Sequence, residues 1–381
     1  MNSIKDLSLL SISLLFCYIL LIIADWYLQS YISKSNRDQI EIEQSRITNE
    51  DIPQREQAIL DGFSPTILPG LFDTFSKDVK NPLIAGLPRT KTYFCNEGYG
   101  LIKYKSDRFG FRNKDSLWDE NPKNIMIGDS FVHGACVTNE NTLPNNLSEL
   151  LKSNIINLGM GGNNPSHYLT YAHLFIPKIK PNIVYLNFYP NDYMSISKSA
   201  IERKYVDEKI KIFSQKNIAF YDSEIFLKEG KALMENLKSE GDIFNKSKFF
   251  NIIQKFYKAF RRHYALPYIS SLIYKYNGNF FPTERAVTQT LRLCALYDCH
   301  LIVSFIPNNK YSRPDYRADF FGDEIKKLTD KLKIPFVDGR KHLNREKNSP
   351  DFAIKGGHLS PLGYEKMAQA IVNITKKISW N

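Results

Sequence analysis

A serine follows the first apolar run in the C-terminal two thirds of the chain, in a setting that suits a nucleophile. The run 125–127 leads through Gly128 and Asp129 to Ser130. A serine at the junction of a strand and a helix exposes its hydroxyl at the carboxyl edge of a sheet, with its backbone N–H facing a developing negative charge. This pattern is typical of an acyl-transfer nucleophile. The sequence contains no Gly-x-Ser-x-Gly motif, which disfavours an ordinary α/β-hydrolase.

Three further blocks could complete a site around this serine. The glycine-rich turn 157–163 lets backbone N–H groups approach a substrate oxygen. Asn191 follows another apolar run, and its amide could donate to the same oxygen. His358 lies on the glycine-containing loop 356–364, where an imidazole could act as a general base. The order and context of the blocks predict a site for acyl transfer.

Taken together, the four blocks resemble the SGNH/GDSL hydrolase superfamily, which is named after its Ser, Gly, Asn and His residues. The resemblance covers about residues 124–377 apart from an insertion. It implies a flavodoxin-like three-layer α/β/α sandwich with a central parallel sheet. It also implies that Ser130 is the nucleophile, His358 the general base, and Gly162 and Asn191 the oxyanion donors beside the Ser130 amide. We expect no cofactor and no metal.

The sequence departs from the family at the position that normally orients the histidine. An aspartate usually stands three residues before that histidine, whereas this chain has Lys355 there. Lysine can neither orient an imidazole nor stabilise its cation. Asp351 and Asp338 are the candidates to replace the missing aspartate. A Ser-His dyad that uses a backbone carbonyl, and an inactive relative that only binds, are the alternatives.

The hydrophobic pattern independently predicts the sandwich. Short apolar runs alternate with longer amphipathic segments from residue 124 onward, which indicates a parallel sheet covered by helices on both faces. The predicted strands are 125–127, 155–158, 183–188, 301–306 and 336–337. The predicted helices are 143–152, 167–176, 284–297, 323–333 and 361–377. Loops at the carboxyl ends of such strands carry the chemistry.

We divide the chain into four parts. They are a transmembrane anchor at 1–30, a polar stalk or linker at 31–58, an irregular or short-stranded N-terminal lobe at 59–121 and a catalytic domain at 122–381. The domain contains a basic helical insertion at about 194–282. In the lobe, residues 106–113 resemble an N-terminal element of membrane-anchored family members that are linked to envelope polysaccharides.

The N-terminal anchor is predicted from an uncharged run. No charged residue occurs from Leu7 to Ala24, and Trp26 and Tyr27 follow where an interfacial aromatic belt would lie. As a helix the run would be about 27 Å long, close to the hydrocarbon thickness of a bilayer. A cleaved signal peptide is the alternative. We expect the catalytic domain to be extracytoplasmic, either periplasmic or at the cell surface.

Charge and cysteine content add weaker expectations. The net charge is +11, and the insertion has no acidic residue from 243 to 283 while its apolar residues follow helical spacing. We favour packing of this apolar stripe on the core, with contact to an acidic glycan or the membrane as the alternative. No nucleic-acid motif is present, so no nucleic-acid partner is expected. Four cysteines outside the anchor are read as buried thiols in preference to disulfides: Cys95, Cys136, Cys294 and Cys299.

The sequence therefore predicts a membrane-anchored serine esterase or O-acyltransferase. Its expected substrate is an acyl ester of an extracytoplasmic carbohydrate. Two alternatives remain open: a catalytically degenerate protein that binds envelope polysaccharide, and an esterase that acts on lipids at the membrane surface.

Overall fold

The computed structural model describes residues 52–66, 68, 85–195, 278–309, 317–346 and 348–378, together with positions 13, 16 and 20. Apart from positions 13, 16 and 20, the predicted anchor lies outside the described residues, as does most of the basic insertion. Within the described ranges, no helix has the length and apolarity needed to cross a membrane.

The described residues form ten strands and seven α-helices. The strands are β1 (Ser64–Pro65), β2 (Lys91–Tyr93), β3 (Lys103–Lys105), β4 (Asn124–Gly128), β5 (Ile155–Gly159), β6 (Ile183–Phe188), β7 (Met194–Ser195), β8 (Gly278–Asn279), β9 (His300–Phe305) and β10 (Phe336–Asp338). The helices are α1 (Ile52–Leu60), α2 (Ser130–His133), α3 (Leu143–Leu151), α4 (Pro165–Ile179), α5 (Phe281–Tyr297), α6 (Arg317–Leu332) and α7 (Pro361–Thr375). All five predicted strands and all five predicted helices are confirmed.

A five-stranded parallel sheet lies at the centre, with the order β10-β9-β6-β4-β5. Counted along the chain within this sheet, the order is 2-1-3-4-5, which is the flavodoxin-like arrangement. The strand order reverses between β4 and β6. Ligands of open α/β sheets bind beside such a reversal, at the carboxyl ends of the strands.

Helices cover both faces of the sheet, which explains why its strands are continuously apolar. Ile125 and Ile127 of β4 contact one core cluster, whereas Met126 between them contacts the other. Helices α4, α5 and α6 contribute to the first cluster. Helices α2, α3 and α7 contribute to the second. The predicted parallel α/β sandwich is therefore present.

Side-chain caps fix the helix starts that follow two of the predicted site loops. The Asn164 side chain accepts the Ser166 N–H at the start of α4, and Pro165 occupies the first helical position. The Ser360 hydroxyl accepts the Gly363 N–H at the start of α7 in the same way. Helix α4 thus begins shortly after the turn with Gly162, and α7 begins shortly after His358.

The N-terminal lobe has regular structure of its own. Strands β1, β2 and β3 form a small mixed sheet. Aromatic residues of the lobe belong to the same core cluster as α4 and α5, among them Phe94, Tyr104, Phe109 and Phe111. The lobe therefore packs on one face of the sandwich, and its short strands agree with the short-stranded form that the sequence left open.

A buried carboxylate shapes the turn at 106–113. One oxygen of Asp107 accepts the backbone N–H groups of Phe109 and Phe111, each at 2.9 Å. The other accepts the Asn113 amide and the Trp118 indole N–H, each at 2.8 Å. Burial raises the pKa of Asp107 to about 6, although the four hydrogen bonds act to lower it. The carboxyl is therefore ionised at neutral pH.

Arg112 of the same turn ties the lobe to the segment that follows α2. Its buried guanidinium donates to the carbonyl oxygens of Gly134 and Val137 at 2.7 and 2.8 Å, and to the Asn139 side chain at 2.7 Å. The element at 106–113, which resembles one found in anchored family members, therefore connects the lobe to the segment that follows Ser130.

Replacing Asp107 by alanine is expected to destabilise the protein strongly. Four N–H donors would lose their acceptor inside the lobe, and the free energy of unfolding should fall by about 3 kcal/mol or more. Urea unfolding followed by tryptophan fluorescence measures the change. Asp330→Ala, which removes an exposed helical ion pair with Lys326, should cost about 0.5 kcal/mol or less. Equal losses in the two variants would contradict this role of Asp107.

Candidate active site

Ser130 lies at the carboxyl edge of the central sheet, where β4 passes into α2. The Asp129 side chain caps this short helix by accepting the Phe131 N–H at 3.0 Å. The serine is the first residue of the helix and is largely buried. The position agrees with that expected for a nucleophile, at the edge where strand order reverses.

His358 meets Ser130 across 228 positions of sequence. The His358 Nε2 atom lies 2.9 Å from the Ser130 Oγ atom. The imidazole also packs against the Phe131 ring, with 4.9 Å between centroids. This distance suits removal of the hydroxyl proton by the imidazole. The structure thus brings together the two residues that the sequence proposed as nucleophile and base.

A glutamate of the N-terminal lobe holds the other side of the imidazole. Oε1 of Glu97 lies 2.8 Å from His358 Nδ1, and Oε2 accepts the His358 backbone N–H at 3.1 Å. Both side chains are only 7% exposed. A buried carboxylate in this place fixes the tautomer with the proton on Nδ1 and stabilises an imidazolium. Glu97 therefore completes a hydrogen-bonded line from acid to base to hydroxyl.

The histidine loop is built around Glu97. The Lys355 backbone N–H donates to the Glu97 carbonyl oxygen at 3.0 Å. At Gly356, a Cβ would overlap the Glu97 carboxylate, so only glycine fits there. The Lys355 side chain is exposed. Its presence at the usual aspartate position is thus compatible with an oriented histidine, because the carboxylate arrives from the lobe.

The two aspartates predicted to orient His358 do not do so, and that prediction is wrong. Asp351 is buried and accepts Lys366 Nζ at 2.7 Å and the Asn344 N–H at 2.7 Å. Asp338 accepts the Arg340 guanidinium at 2.8 Å. Burial acts to raise the pKa of Asp338, but Arg340 outweighs it and holds the pKa below its usual value. Both carboxylates serve local ion pairs.

The predicted oxyanion donors lie on the loops that flank Ser130. Gly162 follows β5 in a turn closed by a 3.2 Å bond from the Asn163 N–H to the Met160 carbonyl, and it is exposed with φ +77°. Asn191 is exposed in the turn Pro190–Asp192 after β6. Because β5 and β6 border β4 on its two sides, the two loops stand on either side of the serine.

A disulfide joins the segment that carries Glu97 to the segment that carries Ser130. Cys95 pairs with Cys136, and Cys294 pairs with Cys299. The interpretation of these residues as free buried thiols is therefore wrong. Cys95 precedes Glu97 by two positions, so the first disulfide supports the approach of the lobe to the histidine.

One group of the described residues has the composition of a metal site, namely Glu97, Cys136 and His358, whose donor atoms lie within 4.8 Å of one another. The Cys136 sulfur is bonded to Cys95, however, and both ring nitrogens of His358 contact protein oxygens. These donors do not fit a metal ion, and we assign none.

Sequence reasoning missed Glu97 because its partner lies 261 positions away. The sequence does contain a weak indication that Glu97 has a special role. Glu97 is the only acidic residue between Asp78 and Asp107, in a stretch rich in aromatic and glycine residues. An isolated acid in such a setting must either face solvent or serve a buried partner.

Glu97→Gln is expected to lower kcat by about 10⁴-fold, because the amide keeps the shape of the side chain but cannot stabilise an imidazolium. Ester turnover by the purified full chain measures the effect. Asp351→Asn is the matched control, since it removes a buried carboxylate from the same loop region without touching His358. Its kcat should stay near that of the unaltered chain, and the opposite ranking would exclude Glu97 as the orienting acid.

Removing the Cys95–Cys136 disulfide should affect both stability and turnover. The bond spans 41 residues, and its loss through Cys95→Ser with Cys136→Ser should lower the free energy of unfolding by about 2–4 kcal/mol. The kcat should fall as well, because Glu97 loses a tether. The pair Cys294→Ser with Cys299→Ser, which opens a bond of sequence separation 5, should leave kcat unchanged. Equal kcat values for the two double variants would show that the Cys95–Cys136 disulfide does not support catalysis.

Several solved structures are similar to this chain at low sequence identity. No protein-family model and no curated protein matches the chain. A lipolytic protein of the G-D-S-L family from Desulfitobacterium hafniense is 12% identical, with a TM-score of 0.39 over 66% of this chain and 99% of that one. The family 3 carbohydrate esterase from Clostridium thermocellum is 14% identical, with a TM-score of 0.39 over 68% and 96%.

A lipase/acylhydrolase from Enterococcus faecalis is 15% identical, with a TM-score of 0.39 over 67% of this chain and 95% of that one. The names of other matching structures also include G-D-S-L and SGNH proteins.

Proposed function

We propose that the chain is a serine-dependent acyl ester hydrolase of the SGNH/GDSL type, with Glu97 as its orienting acid. A single observation carries this proposal: Glu97, His358 and Ser130 form an unbroken line of hydrogen bonds of 2.8 and 2.9 Å at the carboxyl edge of the sheet. Nucleophile, base and orienting group in this order are the requirement for covalent catalysis by serine.

The first half-reaction forms a serine ester. His358 Nε2 takes the proton of Ser130 Oγ as the oxygen attacks the carbonyl carbon of the substrate. The resulting imidazolium is stabilised by the Glu97 carboxylate at Nδ1. His358 then gives its Nε2 proton to the leaving alcohol, and the acyl group remains on Ser130.

The developing oxyanion needs donors that are already in place. The Ser130 N–H lies at the first position of α2, before any intrahelical acceptor is available to it. The Gly162 N–H and the Asn191 amide come from the loops on either side. Each such donor is worth about 10²–10³ in kcat. We expect these three donors, on three neighbouring loops, to surround the oxyanion of the tetrahedral intermediate.

The second half-reaction removes the acyl group. His358 takes a proton from a water molecule, whose oxygen attacks the carbonyl carbon of the serine ester. The bond to Ser130 Oγ then breaks, His358 returns the proton to this oxygen, and the acid is released. A sugar hydroxyl in place of the water would accept the acyl group and make the chain an O-acyltransferase. The same residues serve both outcomes, so the acceptor that reaches His358 decides between them.

We further propose an extracytoplasmic carbohydrate ester as the substrate and an N-terminal membrane anchor. The uncharged run from Leu7 to Ala24 supports the anchor. The two disulfides support an oxidising compartment. The net charge of +11 favours an anionic polymer as the partner. The alternative of a degenerate binder rests on Lys355 and on the basic insertion, and Glu97 removes the first of these two grounds.

Ser130→Ala is expected to abolish turnover of a chromogenic acetyl ester, because the hydroxyl that lies 2.9 Å from His358 Nε2 is lost. The control is Ser116→Ala, which removes an exposed hydroxyl that bonds Glu120 and should leave the rate unchanged. Turnover is measured on the purified full chain with a series of acyl lengths. Acetylated oligosaccharides with and without an acyl acceptor then separate hydrolysis from transfer.

Equal background rates for Ser130→Ala and the unaltered chain would overturn the proposed chemistry. Glycan binding that persists in both would support the binder instead. Activity that rises steadily with acyl length and requires vesicles would favour the lipid esterase over the carbohydrate esterase.

A further inference from the structure

A second buried histidine lies beside the site and takes no part in the chemistry described above. His133 ends α2, three positions after Ser130, and its side chain is fully buried. Its Nδ1 accepts the backbone N–H of Gly161 at 3.3 Å. Its Nε2 lies 2.7 Å from the Tyr104 hydroxyl. The imidazole therefore bridges the lobe and the turn that holds Gly162.

The bond from Gly161 fixes the protonation of this ring. A backbone N–H can only donate, so Nδ1 of His133 must carry a lone pair and the proton of the neutral ring must lie on Nε2. That proton is donated to the Tyr104 oxygen.

The surroundings of His133 favour the neutral ring. The Phe94 ring packs on it with 4.6 Å between centroids. Burial lowers the pKa of His133 well below its usual value, and the nearby Arg112 guanidinium and His358 lower it further. The Tyr104 hydroxyl also stays neutral, because burial raises its pKa to about 12.

The contact matters because of the turn it holds. Gly161 and Gly162 are the two central residues of the turn from Met160 to Asn163, and φ of +77° at Gly162 is the type II form. The His133 bond holds the peptide that enters this turn, at the Gly161 N–H. It therefore fixes the position of the turn from which the Gly162 N–H projects in the next peptide.

We propose that His133 is a positioning residue, which holds the turn at Gly161 so that the Gly162 N–H faces the oxyanion formed at Ser130. The inference rests on the proposed function and deepens it. It assigns a role to the histidine of the Gly-Asp-Ser-Phe-Val-His block, and it makes the lobe responsible for the oxyanion loop through Tyr104 as well as for the orienting acid.

Two substitutions separate this role from simple packing. The side-chain oxygen of asparagine can occupy the place of Nδ1, so His133→Asn keeps an acceptor for the Gly161 N–H and loses the bond to Tyr104. Glutamine places its terminal group near the position of Nε2, so His133→Gln keeps the bond to Tyr104 and loses the acceptor. Both variants remove the ring that packs on Phe94.

The expected result is a difference in kcat with similar KM values. His133→Gln should lower kcat by about 10²-fold or more, as loss of an oxyanion donor does, whereas His133→Asn should lower it by about tenfold or less. Thermal midpoints of both variants show whether folding differs. Equal losses of kcat in the two variants, or losses that follow the thermal midpoints, would overturn the proposal.

A spectroscopic readout makes the inference independent of ester turnover. Nitrogen NMR of the full chain labelled at histidine, in the Ser130→Ala background, should show His133 neutral at pH 7 with its proton on Nε2. A proton on Nδ1 would overturn the positioning role whatever the activity. Absence of ester turnover in the unaltered chain, together with the expected spectrum, would instead count against the proposed function.

Discussion

The hydrogen bond between Glu97 and His358 is the interaction on which the site depends. It joins residues 261 positions apart and belonging to different parts of the fold. The sandwich supplies the serine and the histidine, and the N-terminal lobe supplies the carboxylate. A histidine without this partner would sample both tautomers and several orientations, and the imidazolium would lack a counter-charge. The lobe thus contributes an essential residue, Glu97, to the site.

Several independent contacts keep the lobe in this position. The Cys95–Cys136 disulfide lies next to Glu97 along the chain, and Arg112 binds the backbone that follows α2. The Tyr104 hydroxyl reaches His133. Each contact joins the lobe to the segment directly after the nucleophile. A carboxylate delivered from a separate segment must be held to within a fraction of an ångström, which accounts for this concentration of ties.

Local sequence patterns predicted what local physics determines. The runs 125–127 and 183–188 are apolar because both faces of the sheet are covered, and Ser130 and His358 stand at junctions that strand and helix signals mark. Glu97 could not be found in this way, because nothing near it in sequence reveals a partner in the C-terminal loop. The substitution at Lys355 directed attention to nearby aspartates, although the compensation came from the lobe.

The disulfides were missed for a related reason, since spacing alone does not distinguish paired cysteines from buried thiols.

The most direct test of the pairing between Glu97 and His358 is the downfield proton NMR signal of an imidazole N–H bonded to a carboxylate. We expect this signal in the unaltered chain, and we expect it to vanish in both His358→Ala and Glu97→Ala. A signal that survives Glu97→Ala but disappears in Asp351→Ala would contradict the central claim.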